Sequence, residues 1–393
     1  MAKVILKQCE IYETEPLIRT LDEGIRQLTA DDHDQEATQQ AIGWDAFVKP
    51  GDTVLLKVNL ISPMASETGA VTHAEFVRAM VQILKREGCN VWIGDSSGGA
   101  ILGKAPTASA FEVAGLEAVA REEGAEIKNF DREGVVAVKP ASGLEETMYL
   151  AKPIFEADVV INLPKLKTHM MGMYTGAVKN VFGCIPGLKK AEYHRIAPDP
   201  KVFGEFLADI HQAGRFHLHI MDGIVAMQGE GPVAGEPYPA GKILMSRDPL
   251  ALDLIAAKMI GLDPGYLPIL DAAKERGLGA ANIDDVQLAG DFSEVPLLSG
   301  FKIPMLFRTG ALRGKRSVAF NMMVPFLGLM MKRPKINLAT CRQCNSCVDS
   351  CPVQAIDRAT KKIDYSICIE CMCCHELCIY KAVELKRKWG RKK

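Results

Sequence analysis

Eight cysteines near the end of the chain have the spacing that most clearly predicts chemistry. They form two quartets of the type C-x2-C-x2-C-x3-C, and Pro352 follows the first. The two quartets are Cys341, Cys344, Cys347 and Cys351, then Cys368, Cys371, Cys374 and Cys378. Three closely spaced thiolates can hold one iron–sulfur cube, while the fourth points to the neighbouring cube. The pattern therefore predicts two [4Fe–4S] clusters.

This crossed arrangement assigns the ligands of each cluster. We expect one cluster on Cys341, Cys344, Cys347 and Cys378, and the other on Cys368, Cys371, Cys374 and Cys351. Zinc is the alternative for paired C-x2-C motifs, but a zinc site needs only four ligands in two pairs. Cys373 adds a ninth thiol within the second quartet, as a bystander or a substitute ligand. The sequence gives no role to Cys184.

The segment from 335 to 384 resembles the bacterial two-cluster ferredoxin family. It departs from that family at Ile379, where a second proline is usual, and at the additional Cys373. The resemblance implies a small α+β domain that transfers electrons, so we expect a redox partner protein or a ferredoxin as its partner.

The preceding residues alternate predicted strands with predicted helices. Apolar runs at 53–60 and 157–163 have the length of buried strands. A predicted capping box of Thr72 and Glu75 opens a periodic helix from 73 to 87, and further helices are predicted at 107–123 and from Pro249 to 260. This alternation indicates an α/β fold with a mostly parallel sheet covered by helices. We expect an α/β domain at 1–310, an apolar and basic linker at 311–334, the ferredoxin-like domain at 335–384 and a basic tail at 385–393.

Composition restricts the partners and the location. The formal net charge of −1 argues against a nucleic-acid binder, which would need a broad basic face. The N-terminus lacks the apolar region of a secretory signal, and cysteines in cluster spacing favour a reducing cytoplasm. The apolar run at 319–331 is too short to span a bilayer, so we expect no transmembrane segment. Peripheral membrane contact, or docking of an acidic redox partner on the basic tail, is the alternative reading of this end of the chain.

Polar residues at the predicted strand ends indicate a second site. In parallel sheets, ligands bind where strands end at their carboxyl side. The residues that fall there are Asn59, Asp95, Asn162, Lys165 and Asp222. Each could instead be a turn former. The glycine-rich loop 94–99 that follows one strand could bind a phosphate through backbone N–H groups, although it matches no established phosphate motif.

The densest polar stretch runs from 164 to 194. Its candidate catalytic residues are Lys165, His169, Lys179 and His194, between closely spaced glycines. Lysines and histidines supply anion binding and proton transfer, and a lysine against an apolar surface has a lowered pKa, as a base or nucleophile requires. The stretch is therefore either a site for an anionic ligand or a solvated basic loop.

Four motifs carry a further resemblance: VINLPKLKTH at 160–169, TGAVKNVFG at 175–183, DGIVAMQGEGPVAG at 222–235 and SRDPLALD at 246–253. They resemble the domain of unknown function 362 family, whose members often carry a two-cluster ferredoxin at the C-terminus. A weaker similarity links His169, Lys179 and His194 to a loop of the nickel-pincer lactate racemases. In that family the matching first histidine is an acid/base, the lysine is bonded to the pincer nucleotide, and the later histidine binds nickel. Here Ala177 replaces a glycine of that pattern.

Three functions fit these observations. The first is a ferredoxin-linked oxidoreductase that passes electrons through two clusters to a small-molecule substrate or cofactor at the strand ends. The second is a non-catalytic electron-transfer or maturation subunit of a larger redox complex. The third is an isomerase or racemase-like enzyme whose clusters serve structure only.

Overall fold

A computed structural model describes residues 1–30, 41–100, 104–169, 172–187, 189–197, 199–265, 267–304 and 332–387. The predicted linker lies outside these residues except for 332–334, and the predicted basic tail except for 385–387. The apolar run at 319–331 lies wholly outside them. We refer to residues 1–304 as the α/β region and to residues 332–387 as the C-terminal region.

Strands are found in both regions. In chain order they are β1 Ala2–Gln8, β2 Thr53–Lys57, β3 Asn90–Asp95, β4 Glu126–Asn129, β5 Val135–Val138, β6 Met148–Ala151, β7 Val159–Asn162, β8 Lys165–His169, β9 Met173–Thr175, β10 Leu218–Gln228, β11 Glu236–Ser246, β12 Val286–Gly290, β13 Lys332–Ile336 and β14 Val383–Arg387. Ten of them form one sheet with the order β12-β1-β11-β10-β7-β2-β3-β4, and β8 pairs with β10 and β9.

Most neighbours in the large sheet are parallel. The run β10-β7-β2-β3-β4 is parallel throughout, whereas β11 is antiparallel to β1 and β10. Parallel neighbours bring the carboxyl ends of β2, β3 and β7 to one edge, where the polar residues after them meet. The predicted fold class is confirmed, since the sheet is mostly parallel and the C-terminal region adds short strands and helices.

Helices cover the sheet, and short helices also occur in the C-terminal region. They are α1 Thr14–Thr29, α2 Ala74–Arg86, α3 Thr107–Val113, α4 Leu116–Glu123, α5 Pro153–Glu156, α6 Ala177–Asn180, α7 Lys189–Ile196, α8 Pro200–Ala213, α9 Pro249–Met259, α10 Asp271–Glu275, α11 Ser346–Asp349 and α12 Cys373–Glu376. Among the described residues, no helix has both the length and the apolar character needed to cross a bilayer.

Local sequence explains several helix ends. Asp248 caps α9 through the backbone N–H groups of Leu250 and Ala251, with Pro249 at the first helical position. The predicted helix at 107–123 is two helices, because Gly115 adopts a positive φ of 80° between them.

The predicted capping box before α2 is wrong. The Thr72 hydroxyl donates to Leu163 O and accepts from Asn59 N, so it is engaged with neighbouring strand ends. His73 caps the helix instead, because its Nδ1 accepts a hydrogen bond from Glu75 N at 3.2 Å.

Two apolar clusters lie on opposite faces of the sheet. In β2, Leu55 packs into one cluster while Val54 and Leu56 pack into the other, and all three are buried. Successive side chains of a strand point to opposite faces of the sheet, so burial of the side chains on both faces requires helices on each side. The sheet edge that carries the strand-end residues is thereby held rigidly.

Candidate cleft and cysteine quartets

The C-terminal region brings the eight quartet thiols into two groups. Cys347 interacts electrostatically with three other thiols, those of Cys341, Cys344 and Cys378. Cys374 interacts with the thiols of Cys368, Cys371 and Cys351, and also with that of Cys347 between the groups. Each group therefore combines three cysteines of one quartet with the fourth cysteine of the other.

The backbone around each quartet follows the same path twice. Non-glycine residues with positive φ occur in matched pairs: Gln343 and Glu370 at 54°, Asn345 and Met372 at 63°, and Gln354 at 51° with Lys381 at 52°. These turns expose backbone N–H groups towards sulfur, and Gln343 N, Ala355 N and Ala382 N donate to cysteine Sγ atoms at 3.2 to 3.4 Å. Backbone donors of this kind stabilise thiolate charge, and soft thiolate ligands suit iron–sulfur clusters. The residues present therefore fit such a group.

A cleft of about 810 Å³, part of it open to solvent, lies between the two regions. Lys167, Lys179 and Lys190 line it from the α/β region. Cys373 and Glu376, both in α12, line it from the C-terminal region. The cleft therefore has a basic side and a side built by a helix of the cysteine quartets.

The structure brings together five of the eight residues that the sequence predicted for the α/β site. The five that line the cleft are Asn59, Asp95, His169, Lys179 and His194. The other three, Lys165, Asn162 and Asp222, do not line it.

Lys165 and Asp222 form a buried ion pair instead. Lys165 Nζ lies 2.6 Å from Asp222 Oδ2, and both side chains are fully buried. Tyr12 completes the group, because its hydroxyl donates to Asp222 Oδ1 at 2.7 Å and accepts from Lys165 Nζ at 2.9 Å. Burial lowers the pKa of Lys165, and the charge of Asp222 opposes that change. With its hydrogen bonds satisfied inside the protein, this pair supports the fold.

Asn162 does not line the cleft but supports it through a series of hydrogen-bonded amide side chains. Asn180 Nδ2 donates to Asn162 Oδ1 at 2.7 Å, and Asn59 Nδ2 donates to Asn180 Oδ1 at 2.7 Å. Lys167 Nζ then donates to Asn59 Oδ1 at 2.6 Å and to Ala70 O at 2.5 Å. The chain fixes the position of Lys167, whose pKa burial and the nearby charge of Lys179 hold well below its usual value.

Asp95 is held at the base of the cleft by Lys57. The two charged groups are 2.9 Å apart and almost completely buried, and Leu60 N also donates to the carboxylate at 2.7 Å. Burial raises the pKa of Asp95, while Lys57 opposes the rise. Gly183 passes so close that a Cβ there would lie 2.1 Å from Asp95 Oδ1, so only glycine fits.

Lys179 and Lys190 differ in how their ammonium groups are engaged. Lys190 Nζ donates to Ser96 Oγ at 2.5 Å and to Ser97 O at 3.1 Å, and burial lowers its pKa to about 8. Lys179 Nζ has no hydrogen-bond acceptor in the part of the chain that the structure describes. It lies 5.9 and 5.8 Å from the ring centres of Phe182 and Phe203. Burial lowers its pKa, and the nearby charge of Glu376 opposes that change.

The two cleft histidines are held in their neutral forms. Gly172 N donates to His169 Nδ1 at 3.1 Å, so neutral His169 carries its proton on Nε2. Burial and the charge of Lys179 hold the pKa of His169 well below its usual value. The ring of His194 stacks on Phe203 at 4.8 Å, and burial followed by the charge of Lys179 lowers its pKa to about 3.

Cys373 connects the cleft with the cysteine quartets. A second cavity of about 320 Å³ adjoins Cys351, Cys368, Cys371 and Cys374. Cys373 is the residue that lines both this cavity and the cleft, and its thiol is hydrogen-bonded to that of Cys371. The ninth thiol therefore lies between the second quartet and the space in which a ligand would bind.

The loop at 94–99 packs against the C-terminal region. The N–H groups of Ser96, Ser97 and Gly98 already bond to Asp95, Thr107 and Ile61. A Cβ on Gly98 or Gly99 would lie 3.1 or 3.2 Å from the Leu377 side chain, and Ser350 Oγ accepts from Ala100 N at 2.8 Å. With those N–H groups engaged, this loop is a docking surface rather than a phosphate cradle.

Sequence reasoning missed several residues of the cleft. Lys167 and Lys190 belong to the polar residues of the predicted stretch at 164–194 but were not among its candidate catalytic residues, and Thr175 in the same stretch was not a candidate. Glu376 was not predicted at all. It lies between Cys374 and Cys378, and nothing in that local pattern indicates that its carboxylate faces the α/β region.

Family models match two separate parts of the chain. A family model described as "Domain of unknown function (DUF362)" matches residues 54–258, and one described as "4Fe-4S binding domain" matches residues 334–357. A "thylakoid-associated protein" from Synechocystis sp. is 35% identical over 244 residues, which are 60% of this chain and 71% of that protein.

Solved structures show more distant likenesses. A protein from Thermotoga maritima is 12% identical with a TM-score of 0.39, over 62% of this chain and 57% of that one. The lactate racemase apoprotein from Thermoanaerobacterium thermosaccharolyticum is 12% identical with a TM-score of 0.35, over 61% of this chain and 53% of that one. The matched part thus spans little more than half the length of either solved protein.

Proposed function

Because the chain belongs to the domain of unknown function 362 family and is an iron–sulfur protein, we propose that it is an oxidoreductase that transfers electrons to a ligand in the cleft. A redox protein, such as a ferredoxin, would supply or accept the electrons. Two features support this proposal. The C-terminal region contains the cysteine quartets, and its helix α12 also lines the cleft that contains the lysines.

Two [4Fe–4S] clusters are part of the proposal. The grouping of the thiols supports Cys341, Cys344, Cys347 and Cys378 as ligands of one cluster, and Cys368, Cys371, Cys374 and Cys351 as ligands of the other. The repeated backbone turns and the N–H donors to sulfur support the same assignment. When bound, such clusters supply one-electron transfer.

The observation that carries the proposal is the position of α12. Cys374 in this helix belongs to the second thiol group, while Cys373 and Glu376 line the cleft. A four-residue helix is about 6 Å long and an α-helix is roughly 10 Å wide with its side chains. A ligand in the cleft would therefore lie within about one helix diameter of a cluster ligand.

The cleft residues have separate tasks in this proposal. Lys179 binds an anionic group of the ligand, and the rings of Phe182 and Phe203 exclude water around it. His169 holds a proton on Nε2, which it can donate to a ligand that gains negative charge. Lys190, whose pKa is about 8, keeps the potential in its part of the cleft positive at neutral pH.

An anion titration tests this function. Protein prepared without oxygen and reduced with dithionite would be titrated with inorganic phosphate, and its electron paramagnetic resonance spectrum recorded. We expect the signal of one cluster to change at saturating anion in the native protein but not in Lys179→Met. Lys258→Met, at the distant end of α9, is the matched control and should behave like the native protein. An unchanged native spectrum would reject the coupling between cleft and clusters.

Cellular location remains a prediction. We propose a cytoplasmic protein with peripheral membrane contact, because a relative of 35% identity is described as thylakoid-associated. The apolar run at 319–331 and the basic tail are the segments through which such contact would be made.

A further inference from the structure

Three buried polar atoms line the cleft without a hydrogen-bond partner among the described residues. They are Thr175 Oγ1, His194 Nδ1 and Glu376 Oε1, from β9, α7 and α12. The three residues are only 3%, 7% and 5% exposed, so ordinary surface hydration does not account for them. Buried polar atoms in proteins are almost always paired, so three such atoms around one cavity indicate a binding site for a ligand.

The atoms also indicate what that ligand must offer. The Lys179 ammonium group can only donate hydrogen bonds, so it requires an acceptor, and the Thr175 hydroxyl can donate to the same acceptor. In its ionised form Glu376 Oε1 only accepts, and the His169 Nε2–H group 3.5 Å away makes no hydrogen bond to it, so the carboxylate has room for a donor of the ligand. The ligand must therefore present both kinds of group.

The charges of Lys179 and Glu376 further restrict which ligands can bind. Lys179 and Glu376 attract each other electrostatically across the cleft, yet within the described residues they form no ion pair. Opposite charges that face each other without contact leave room for a group between them. A neutral ligand would separate Lys179 from Glu376 without giving it a counter-charge in contact, and an anion without a donor would place its charge against Glu376.

We propose that the cleft binds a small anion, with a carboxylate or phosphate group, that also carries an O–H or N–H donor. Lys179 and Thr175 bind the anionic group, Glu376 binds the donor, and His194 Nδ1 pairs with the part of the ligand between them. This inference rests on the proposed function, since it takes the cleft as the ligand site. It adds a substrate class and assigns Thr175 and Glu376 to ligand binding.

Because α6 and α12 supply opposite ends of this site, the bound ligand connects the α/β region to the C-terminal region. The α/β region alone lacks Glu376, and the C-terminal region alone lacks Lys179. Binding of the full ligand class therefore requires both regions in one chain.

Calorimetry with small probes tests the proposal. Oxygen-free holoprotein would be titrated with acetate, glycolate, glycine and inorganic phosphate. We expect glycolate and glycine, which combine a carboxylate with a donor, to bind more tightly than acetate by about tenfold or more, because each adds a hydrogen bond to a charged group. Phosphate, whose protonated form also carries O–H, should bind as well. Equal affinity for acetate and glycolate, or no binding of any probe, would overturn the proposal.

Two variants separate the two ends of the site. Glu376→Met, of similar size but without an acceptor, should bind glycolate no better than acetate. Asp357→Asn, an exposed carboxylate in the same region, is the charge-matched control and should keep the native preference. Thr175→Val should weaken glycolate and acetate equally, by roughly fivefold, with unchanged iron content. Because Thr175 is distant in sequence from the cysteines, this variant remains informative if Glu376→Met loses clusters. Unchanged affinities in Thr175→Val would contradict the proposed contact.

The calorimetric result is independent of electron transfer. If the probes bind with the expected preference but the cluster signals do not respond, the oxidoreductase proposal fails and the ligand class stands. If the cluster signals respond to phosphate but glycolate gains nothing over acetate, the reverse holds.

Discussion

The imidazole of His169 and the carboxylate of Glu376 face each other across the cleft, with Nε2 and Oε1 3.5 Å apart. His169 ends β8 of the α/β region, and Glu376 ends α12 of the C-terminal region. Two residues separated by about half the chain therefore contribute adjacent polar groups to one space. The C-terminal region completes the cleft in addition to carrying the cysteine quartets.

Two adjacent cysteines should differ in their effect on iron content. We expect the native protein to contain about eight iron and eight sulfide per chain, as two cubane clusters require. Cys374→Ser should lose roughly half of the iron, whereas Cys373→Ser should keep it, because Cys373 faces the cleft. Iron and sulfide analysis after anaerobic purification measures both. About four irons in the native protein, or equal losses in the two variants, would disprove the assignment.

Gly99 should control how tightly the C-terminal region docks. Gly99 has a φ of +82°, and an added Cβ would lie 3.2 Å from Leu377. Gly99→Ala should therefore cost about 1–2 kcal/mol in backbone strain and crowd Leu377 as well. We expect faster proteolytic release of the C-terminal region.

Gly124→Ala is the matched control for that variant, since Gly124 also has a positive φ but no atom near its Cβ position. It should show the strain without the release. Equal proteolysis rates for the two variants would mean that Leu377 does not depend on Gly99.

Acid should destabilise the protein partly through His194. Its pKa is about 3 in the folded protein against an ordinary value of 6.5, because burial disfavours the charged form. The unfolded chain therefore binds more protons as the pH falls below about 6.5, and stability falls with it. Between pH 7.5 and pH 5 this group should cost about 2 kcal/mol.

Urea unfolding at both pH values, in native protein and His194→Gln, measures the difference. The variant should lose about 2 kcal/mol less than the native protein over this range. His217→Gln replaces a half-buried histidine and should show a smaller change. Identical pH dependence of the native protein and His194→Gln would be inconsistent with a neutral, buried His194.

Removing one charge of the Lys57–Asp95 pair should lower the free energy of unfolding strongly, whereas replacing both residues with apolar ones should lower it much less. Asp95→Asn leaves the Lys57 charge buried without its partner, and we expect a loss of about 3–5 kcal/mol in unfolding free energy. Replacing both residues, as in Lys57→Met with Asp95→Leu, should recover much of that loss. Chemical unfolding of the two variants provides the comparison. A single variant as stable as the double variant would show that the charges do not depend on each other.

Local sequence patterns determined a large part of this protein. The cysteine spacing predicted the iron–sulfur region, because consecutive ligands of a cluster must be close along the chain. Alternating strands and helices predicted the sheet, and its parallel strands placed Asn59 and Asp95 at one edge. The motifs of the α/β region indicated the family, and the comparisons confirmed it.

Tertiary structure decided which lysines reach the cleft. Lys165 and Lys167 are two residues apart on β8, yet their partners on β10 are Asp222 and Met227, five residues apart. This irregular register separates the two lysines, so that Lys165 pairs with Asp222 while Lys167 enters the cleft. Strand alternation alone would have given them equivalent surroundings.

The position of Glu376 shows more clearly what local sequence patterns cannot predict. The sequence by itself determined that a cluster-binding segment follows an α/β domain with polar strand ends, since those features depend on spacing within short stretches. Leu377 packs against Gly98 and Gly99, and Ala100 N donates to Ser350 Oγ. Tertiary contacts between the two regions therefore place Glu376 on the cleft with Lys179. The juxtaposition of two residues nearly two hundred positions apart depends on how two surfaces fit, and no local pattern encodes that fit.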